Sequence, residues 1–293
     1  MNRIFYINFL LILVGVRAYG QQSADYEFLG TLQITGGELI TYKLIFNEIG
    51  ENKISGTSTT DLFGPDKTSS KIVGTLSSDK SKITVRETEN IYTKSSAHDS
   101  VFCYIHITNA RIKHVANKRV IQGRFVGKYR SGEKCITGNV YLIGADFADS
   151  IVKSMNLLVS QNPNDSVKKL LGGYSQKISS SGNNELKKNE LLSINWPCKD
   201  VTIELWDGRA EDGDVVSLLF NGAVVLDKAV INQQKKTVSI PLVDKINLIK
   251  IVAEGEGNQP PCTVDVIVRC DSRKQSLRAV LNKSENAVIK LNN

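Results

Sequence analysis

Between Glu27 and Gly144, apolar residues recur at every second position over short stretches, and clusters of Gly, Pro, Asn, Asp or Ser separate those stretches. A period of two marks a β-strand with one buried face. Strands are predicted over 27–34, 39–47, 53–58, 71–76, 82–86, 101–113, 119–129 and 135–143, with turns at Gly36-Gly37, Gly50-Glu51-Asn52, Gly64-Pro65-Asp66, Ser77-Ser78-Asp79 and Ser131-Gly132-Glu133. Within the sixth run, Phe102, Tyr104 and His106 share one face, while Cys103, Ile105 and Ile107 share the other. About eight short strands in chain order predict an antiparallel meander, curled or closed as an up-and-down barrel.

The period changes after Asp146. Ile151, Met155, Leu158 and Val159 fall at helical spacing, Pro163 interrupts, and Val167, Leu170 and Leu171 resume before Gly172-Gly173. Two short helices and the polar run 179–184 predict a linker. Strand periodicity returns over 201–206, 215–220, 223–226, 236–241, 247–253, 264–269, 277–281 and 287–291. Asn221-Gly222 between two of these runs predicts a tight type I′ hairpin. Strands so short and so spaced predict a β-sandwich. The chain is therefore expected to be all-β: a meander or up-and-down barrel-like domain over 21–145, a helical and Ser/Asn-rich linker over 146–195, and a β-sandwich over 196–293.

The first twenty residues belong to neither domain. Arg3 precedes the apolar run Phe9–Val16, and Ala18 and Gly20 supply a small-residue cleavage pattern, so residues 1–20 are expected to be a signal peptide. That run is about half of the ~20 residues that span a bilayer, and no second run of that length follows, so no transmembrane segment is expected in the mature chain. A secreted, periplasmic or cell-envelope location follows. Cleavage leaves about 270 residues, room for two cores. Removal of Arg3 and Arg17 leaves 35 basic residues against 30 acidic ones, and the formal charge falls from +7 to +5. The lysines are scattered, so the basic footprint of a nucleic-acid binder is missing.

Export changes the meaning of the five cysteines, at 103, 135, 198, 262 and 270. None stands in a Cys-x-x-Cys pair, and disulfides are the default in an oxidising compartment. If the strands that start near Val201 and Val264 pair antiparallel, Cys198 lies beside Cys270, and Cys262 is the spare. Cys103 and Cys135 begin strands with one strand between them, roughly 9.5 Å apart at two strand spacings, so their bond requires the Ser131–Lys134 loop to curl over.

The densest polar cluster is Asp207-Gly208-Arg209-Ala210-Glu211-Asp212-Gly213-Asp214. Asp207, Glu211, Asp212 and Asp214 are oxygen ligands of the kind calcium prefers, although the glycine comes one position later than an EF-hand requires. The plainer alternative is a solvated hairpin loop. Ala97-His98-Asp99-Ser100 holds the residue types of a hydrolase triad, but neighbours on one loop cannot converge as a triad does. Trp196, Trp206 and the tyrosines are candidates for sugar stacking, against core packing as the commoner role. Glu87 and Glu89, on one face of a strand, are the suggestive carboxylate pair of the first domain.

The stretches Ile203–Asp207, Glu211–Asp214, Leu218–Gly222 and Ala253–Gly257 with Pro260-Pro261 resemble the C-terminal β module of uncharacterised secreted two-domain β-rich proteins of Bacteroidetes type. Ile54–Asp61 and Gly123–Gly127 leading to Cys135 and Gly138 are similar to the partner domain found in some of them. The resemblance implies export, two β domains and no established activity. Cys262 stands where such modules carry Asn after the two prolines. The expectation is an exported noncatalytic binding or envelope protein that takes a glycan, a protein or calcium. The alternative is a secreted hydrolase acting on an envelope or extracellular polymer, or a barrel enclosing a small apolar ligand.

Overall fold

The computed structural model describes residues 25–115, 118–145, 184–209 and 211–293. The expected signal peptide and the two expected linker helices lie outside them. No helix among the described residues is long and apolar enough to cross a membrane, and the described residues are almost wholly β.

Eight strands come first: β1 (Tyr26–Ile34), β2 (Leu39–Gly50), β3 (Lys53–Thr60), β4 (Thr68–Leu76), β5 (Lys82–Thr93), β6 (Tyr104–Val115), β7 (Lys118–Lys128) and β8 (Lys134–Gly144). Each pairs antiparallel with the next, and β8 pairs back onto β1 from Phe28↔Gly144 to Ile34↔Gly138. The meander thus closes into an antiparallel barrel, which leaves these strands no free edge. Alternation places Phe28 and Leu32 of β1, Tyr42, Leu44 and Phe46 of β2, and Ile105 and Ile107 of β6 in one buried cluster. Side chains therefore pack the interior, as expected for eight strands.

β5 is the exception to simple alternation. Ile83, Val85 and Glu87 point into the barrel core. Register then shifts between Ile72↔Glu87 and Lys71↔Glu89, and again between Ser70↔Asn90 and Ser69↔Tyr92. Thr88 and Ile91 are the extra residues of two bulges, and each extra residue reverses which side chains face inward. Glu89 consequently emerges on the outside, against Lys71, while Tyr92 enters a second core. Glu87 and Glu89 do not share a face. The expectation that they do fails at the Thr88 bulge.

The second core lies between two sheets. They are built from β9 (Glu185–Leu186), β10 (Leu191–Asn195), β11 (Asp200–Trp206), β12 (Asp214–Phe220), β13 (Ala223–Val230), β14 (Lys236–Pro241), β15 (Ile246–Glu256), β16 (Cys262–Cys270), β17 (Arg273–Leu281) and β18 (Asn286–Asn292). One sheet has the order β14-β11-β16-β17-β9; the other, β13-β12-β15-β18-β10, continues through β10 into the end of β5 at Ile194↔Tyr92. Val201, Ile203, Val264 and Val266 of the first sheet and Val216, Leu218, Ile249, Ile251 and Ile289 of the second belong to one buried cluster. The expected linker reaches to 195, yet β9 and β10 are already strands of this unit. Both are short, five residues at most, and their pairing to β17 and β18 is parallel and distant in the chain. Asn221 and Gly222 both have positive φ, +48° and +87°, as a type I′ turn requires.

Disulfides join Cys198 to Cys270 and Cys103 to Cys135, and Cys262 is free and buried. The second bond spans 6.1 Å between Cα atoms although β7 lies between the two cysteines. Gly127 of β7 explains how. A Cβ there would sit 2.3 Å from the Cys103 sulfur and 2.9 Å from the Cys135 sulfur, so only glycine lets the bridge pass over the intervening strand.

Candidate metal centre

β11 and β12 do not pair. β11 belongs to the first sheet and β12 to the second, so residues 207–213 carry the chain from one sheet to the other. The hairpin reading of this acidic loop is thereby corrected: hydrophobic runs on both sides mark strands, but sequence spacing does not tell which sheet each joins.

The crossing brings Asp207, Asp212 and Asp214 together, with one oxygen of each within 4.8 Å of the other two. Asp207 and Asp214 are buried, at 2% and 1% exposure. Each carboxylate is pinned through one oxygen or its backbone. Asp207 Oδ1 accepts the Arg209 N–H at 2.8 Å, Asp212 Oδ2 accepts Gln259 N–H at 2.9 Å, and Asp214 Oδ2 accepts Thr263 N–H at 2.7 Å. The other oxygens, Asp207 Oδ2, Asp212 Oδ1 and Asp214 Oδ1, are buried without an N–H or O–H donor among the described residues, and the neighbouring donor at Asp214 is the weak S–H of Cys262. Buried polar atoms in folded proteins are nearly always paired, and three unpaired oxygens of one sign in one place need a physical reason. At an effective dielectric of 20, two such charges at this distance repel by roughly 3–4 kcal/mol.

The turn that follows β15 forms the other wall. Asn258 N–H donates to the Asp212 carbonyl at 2.9 Å, and a Cβ on Gly257 would sit 2.6 Å from that carbonyl and from Asp212 Oδ1. Gly257, at φ +58°, is therefore required for the close approach. Pro260-Pro261, joined by a cis bond, leads to Cys262, whose thiol borders Asp214. Burial pushes the Asp214 carboxyl above its ordinary value, and the neighbouring Asp212 and Asp207 push it further, against the pull of the Thr263 N–H and the Cys262 thiol. Burial, with Asp214 beside it, pushes the Cys262 thiol up to about 12.

Of the four acids singled out in sequence, Glu211 does not join the group. It is exposed, and its carboxylate accepts the Gln233 N–H at 2.8 Å, holding the loop from outside. Gly257, Thr263 and Cys262, which sequence reading did not attach to the acidic loop, complete its surroundings. The signal was the glycine- and proline-rich stretch 255–261, legible as a turn but not as a neighbour of residues 50 positions away.

The remaining candidates separate. Glu87 is sealed in the barrel, where its Oε1 accepts Ser58 Oγ at 2.6 Å and Tyr42 Oη at 3.1 Å, and its Oε2 accepts Ile105 N–H at 2.8 Å. Glu89 pairs with Lys71 at 2.7 Å and accepts Asn195 Nδ2 at 2.6 Å. These two carboxylates face different environments and cannot act on one bond. Trp196 is fully buried and donates to the Asp200 carbonyl, so it offers no stacking face. Lys235 lies over the Trp206 ring. His98 Nδ1 lies 2.9 Å from Ser100 Oγ and 3.3 Å from Ser100 N, the short-range contacts of an exposed turn.

Comparison with family models, curated proteins and solved structures yields no match for this chain.

Proposed function

We propose that the chain is an exported, noncatalytic binding protein whose C-terminal unit is a β-sandwich that holds calcium through Asp207, Asp212 and Asp214. The observation that carries this reading is the convergence of three buried carboxylate oxygens without N–H or O–H donors. A cation removes both their repulsion and their want of partners. Calcium, with Ca–O distances of about 2.3–2.6 Å, fits ligand atoms within 4.8 Å of one another, and it tolerates mixed carboxylate, carbonyl and water coordination. No imidazole is among the three, and a thiol raised to about 12 is a poor thiolate donor, which disfavours zinc. Two disulfides are compatible with an oxidising location, where calcium modules work at about 10⁻⁴–10⁻³ M affinity. The bound ion would fasten the sheet-crossing loop to the 257–263 turn and so fix one end of the two-sheet unit.

Titration calorimetry of the full chain with calcium, paired with thermal melts in calcium and in chelator, tests this. A saturable one-site heat and a melting temperature that rises with calcium are expected. Absence of heat at millimolar calcium, with a melting temperature indifferent to chelator, overturns it.

A further inference from the structure

A second place in the molecule is built to receive a ligand, and it lies where the barrel meets the two-sheet unit. The end of β5, the β7–β8 turn, β10 and the end of β18 enclose a cleft of about 230 Å³, with Asn90, Tyr104, Arg130, Asn195 and Asn292 among its walls. On the far side of Arg130 a more open cleft of about 630 Å³ continues past Tyr129, Ser131, Glu133, Ser100 and His98. Arg130 belongs to both.

We infer that the two clefts form one trough for an acidic polysaccharide, with the carboxylate of a uronic-acid residue seated on Arg130. Arg130 is exposed and has no hydrogen-bond or ion-pair partner among the described residues. A guanidinium presents a planar fork of donors that matches a carboxylate bidentately. Of the carboxylate side chains of the two clefts, Glu89 is already taken up by Lys71, Asn195 and, at 3.9 Å, Arg273, and Glu133 makes no ion pair with Arg130, so neither quenches it. Side-chain amides line the rest of the seam. Each amide offers both a donor and an acceptor, the pairing that sugar hydroxyls require. Asn195 Nδ2 is committed to Glu89 and Asn292 Nδ2 to Ser193 Oγ, which turns their carbonyl oxygens into oriented acceptors. In the larger cleft, Tyr129 provides a ring for a neighbouring sugar face, and Glu133, Ser100 and His98 provide hydroxyl partners. The seam cleft alone is smaller than the ~300–1,000 Å³ that encloses a drug-sized ligand. A chain that crosses both clefts uses the space better than a compact molecule in either.

The test is a titration of the full chain with tetragalacturonate and, in parallel, with neutral maltotetraose, both in chelator. Chelator removes any binding bridged through a cation at Asp207, Asp212 and Asp214, so failure of the calcium reading leaves this measurement intact. The acidic oligosaccharide is expected to bind and the neutral one to bind at least tenfold more weakly. Arg130→Ala and Arg130→Lys, both on an exposed turn, are each expected to weaken uronate binding by about tenfold or more, because a lysine keeps the charge but loses the fork. Three results overturn the inference: no uronate binding by the wild type, equal binding of uronate and neutral sugar, or an Arg130→Lys variant that binds as well as wild type. The last would assign the attraction to the net positive charge of the chain.

Discussion

The barrel and the two-sheet unit bury carboxyl groups in opposite ways. In the barrel, Glu87 meets three donors from three strands, Tyr42 of β2, Ser58 of β3 and the Ile105 N–H of β6, and both of its oxygens are paired. At the sheet crossing, Asp207, Asp212 and Asp214 each keep one buried oxygen with no N–H or O–H donor, and they face one another. A carboxylate supplied with protein donors is complete and acts as a tie between strands. Carboxylate oxygens that face one another without such donors would be completed by a cation. The distinction lies in the donors, not in burial or charge.

The largest expected effect comes from breaking the complete group. Glu87→Ala takes the shared acceptor from a phenol, a hydroxyl and a backbone N–H; Tyr42 and Ser58 can bond each other, but the rest stays buried and unpaired at roughly 1–3 kcal/mol per group, and a small void opens. A loss of about 3–5 kcal/mol in urea-induced unfolding is expected, with calcium affinity unchanged. A loss below about 1 kcal/mol would mean that the barrel interior admits water to these groups.

Breaking the incomplete group should instead change sign with conditions. Asp214→Asn removes one of three facing charges, so in chelator the variant should melt at or above the wild-type temperature. In calcium it should melt below, because the wild type gains about 2.7 kcal/mol at a free concentration 100 times its dissociation constant and the variant gains little. Melting in both conditions decides it. A variant less stable than wild type in chelator as well would place Asp214 with Glu87, as a structural carboxylate that needs no ion.

The two sites were unequally legible in the sequence. Alternation revealed nearly all the strands because one buried face is a local property, and Asn221-Gly222 fixed its hairpin by the same locality. The pattern also carries a signal about Glu87, which continues the inward series Ile83, Val85. Its apparent partnership with Glu89 failed because the Thr88 bulge has no signature of its own and is set by where β5 must leave the barrel for β10. Asp207, Asp212 and Asp214 stood out as ligand types, yet which of the acids converge depends on a crossing between sheets that only the strand order reveals. The Cys103–Cys135 bond needed Gly127, a single glycine whose use depends on the strands at either side.

pH separates the same two groups more finely. Burial raises the Glu87 carboxyl above its ordinary value, with the Ile105 N–H, Ser58 and Tyr42 pulling the other way. The folded chain therefore holds the Glu87 proton more tightly than the unfolded chain does. That contribution to stability is fully present below the unfolded carboxylate range, near pH 4, and is lost as pH rises from there through the higher folded value. Glu48, Asp79, Glu204 and Glu285 are held below their ordinary values and make stability rise with pH over the same window, so at one fixed calcium concentration the unfolding free energy of the wild type should rise less with pH than that of Glu87→Gln. Parallel slopes would mean that Glu87 holds its proton no more tightly in the folded chain than in the unfolded one.

The smallest effect, and the one that reads the metal centre most directly, is at Cys262. Its thiol is buried, borders Asp214 and is raised to about 12, so the native protein should resist alkylation at neutral pH for lack of thiolate. If calcium fastens the 257–263 turn onto the crossing loop, chelation frees that turn to open locally, and labelling of Cys262 by iodoacetamide should speed up severalfold with little change in the melting of the barrel. Mass spectrometry of the labelled chain, with Cys103, Cys135, Cys198 and Cys270 held in their disulfides, counts this one thiol alone. Labelling that ignores chelator in the wild type, yet rises in Asp214→Asn, would show that the acids hold the turn through the Thr263 N–H rather than through an ion. The comparison would then rest on donors in both regions.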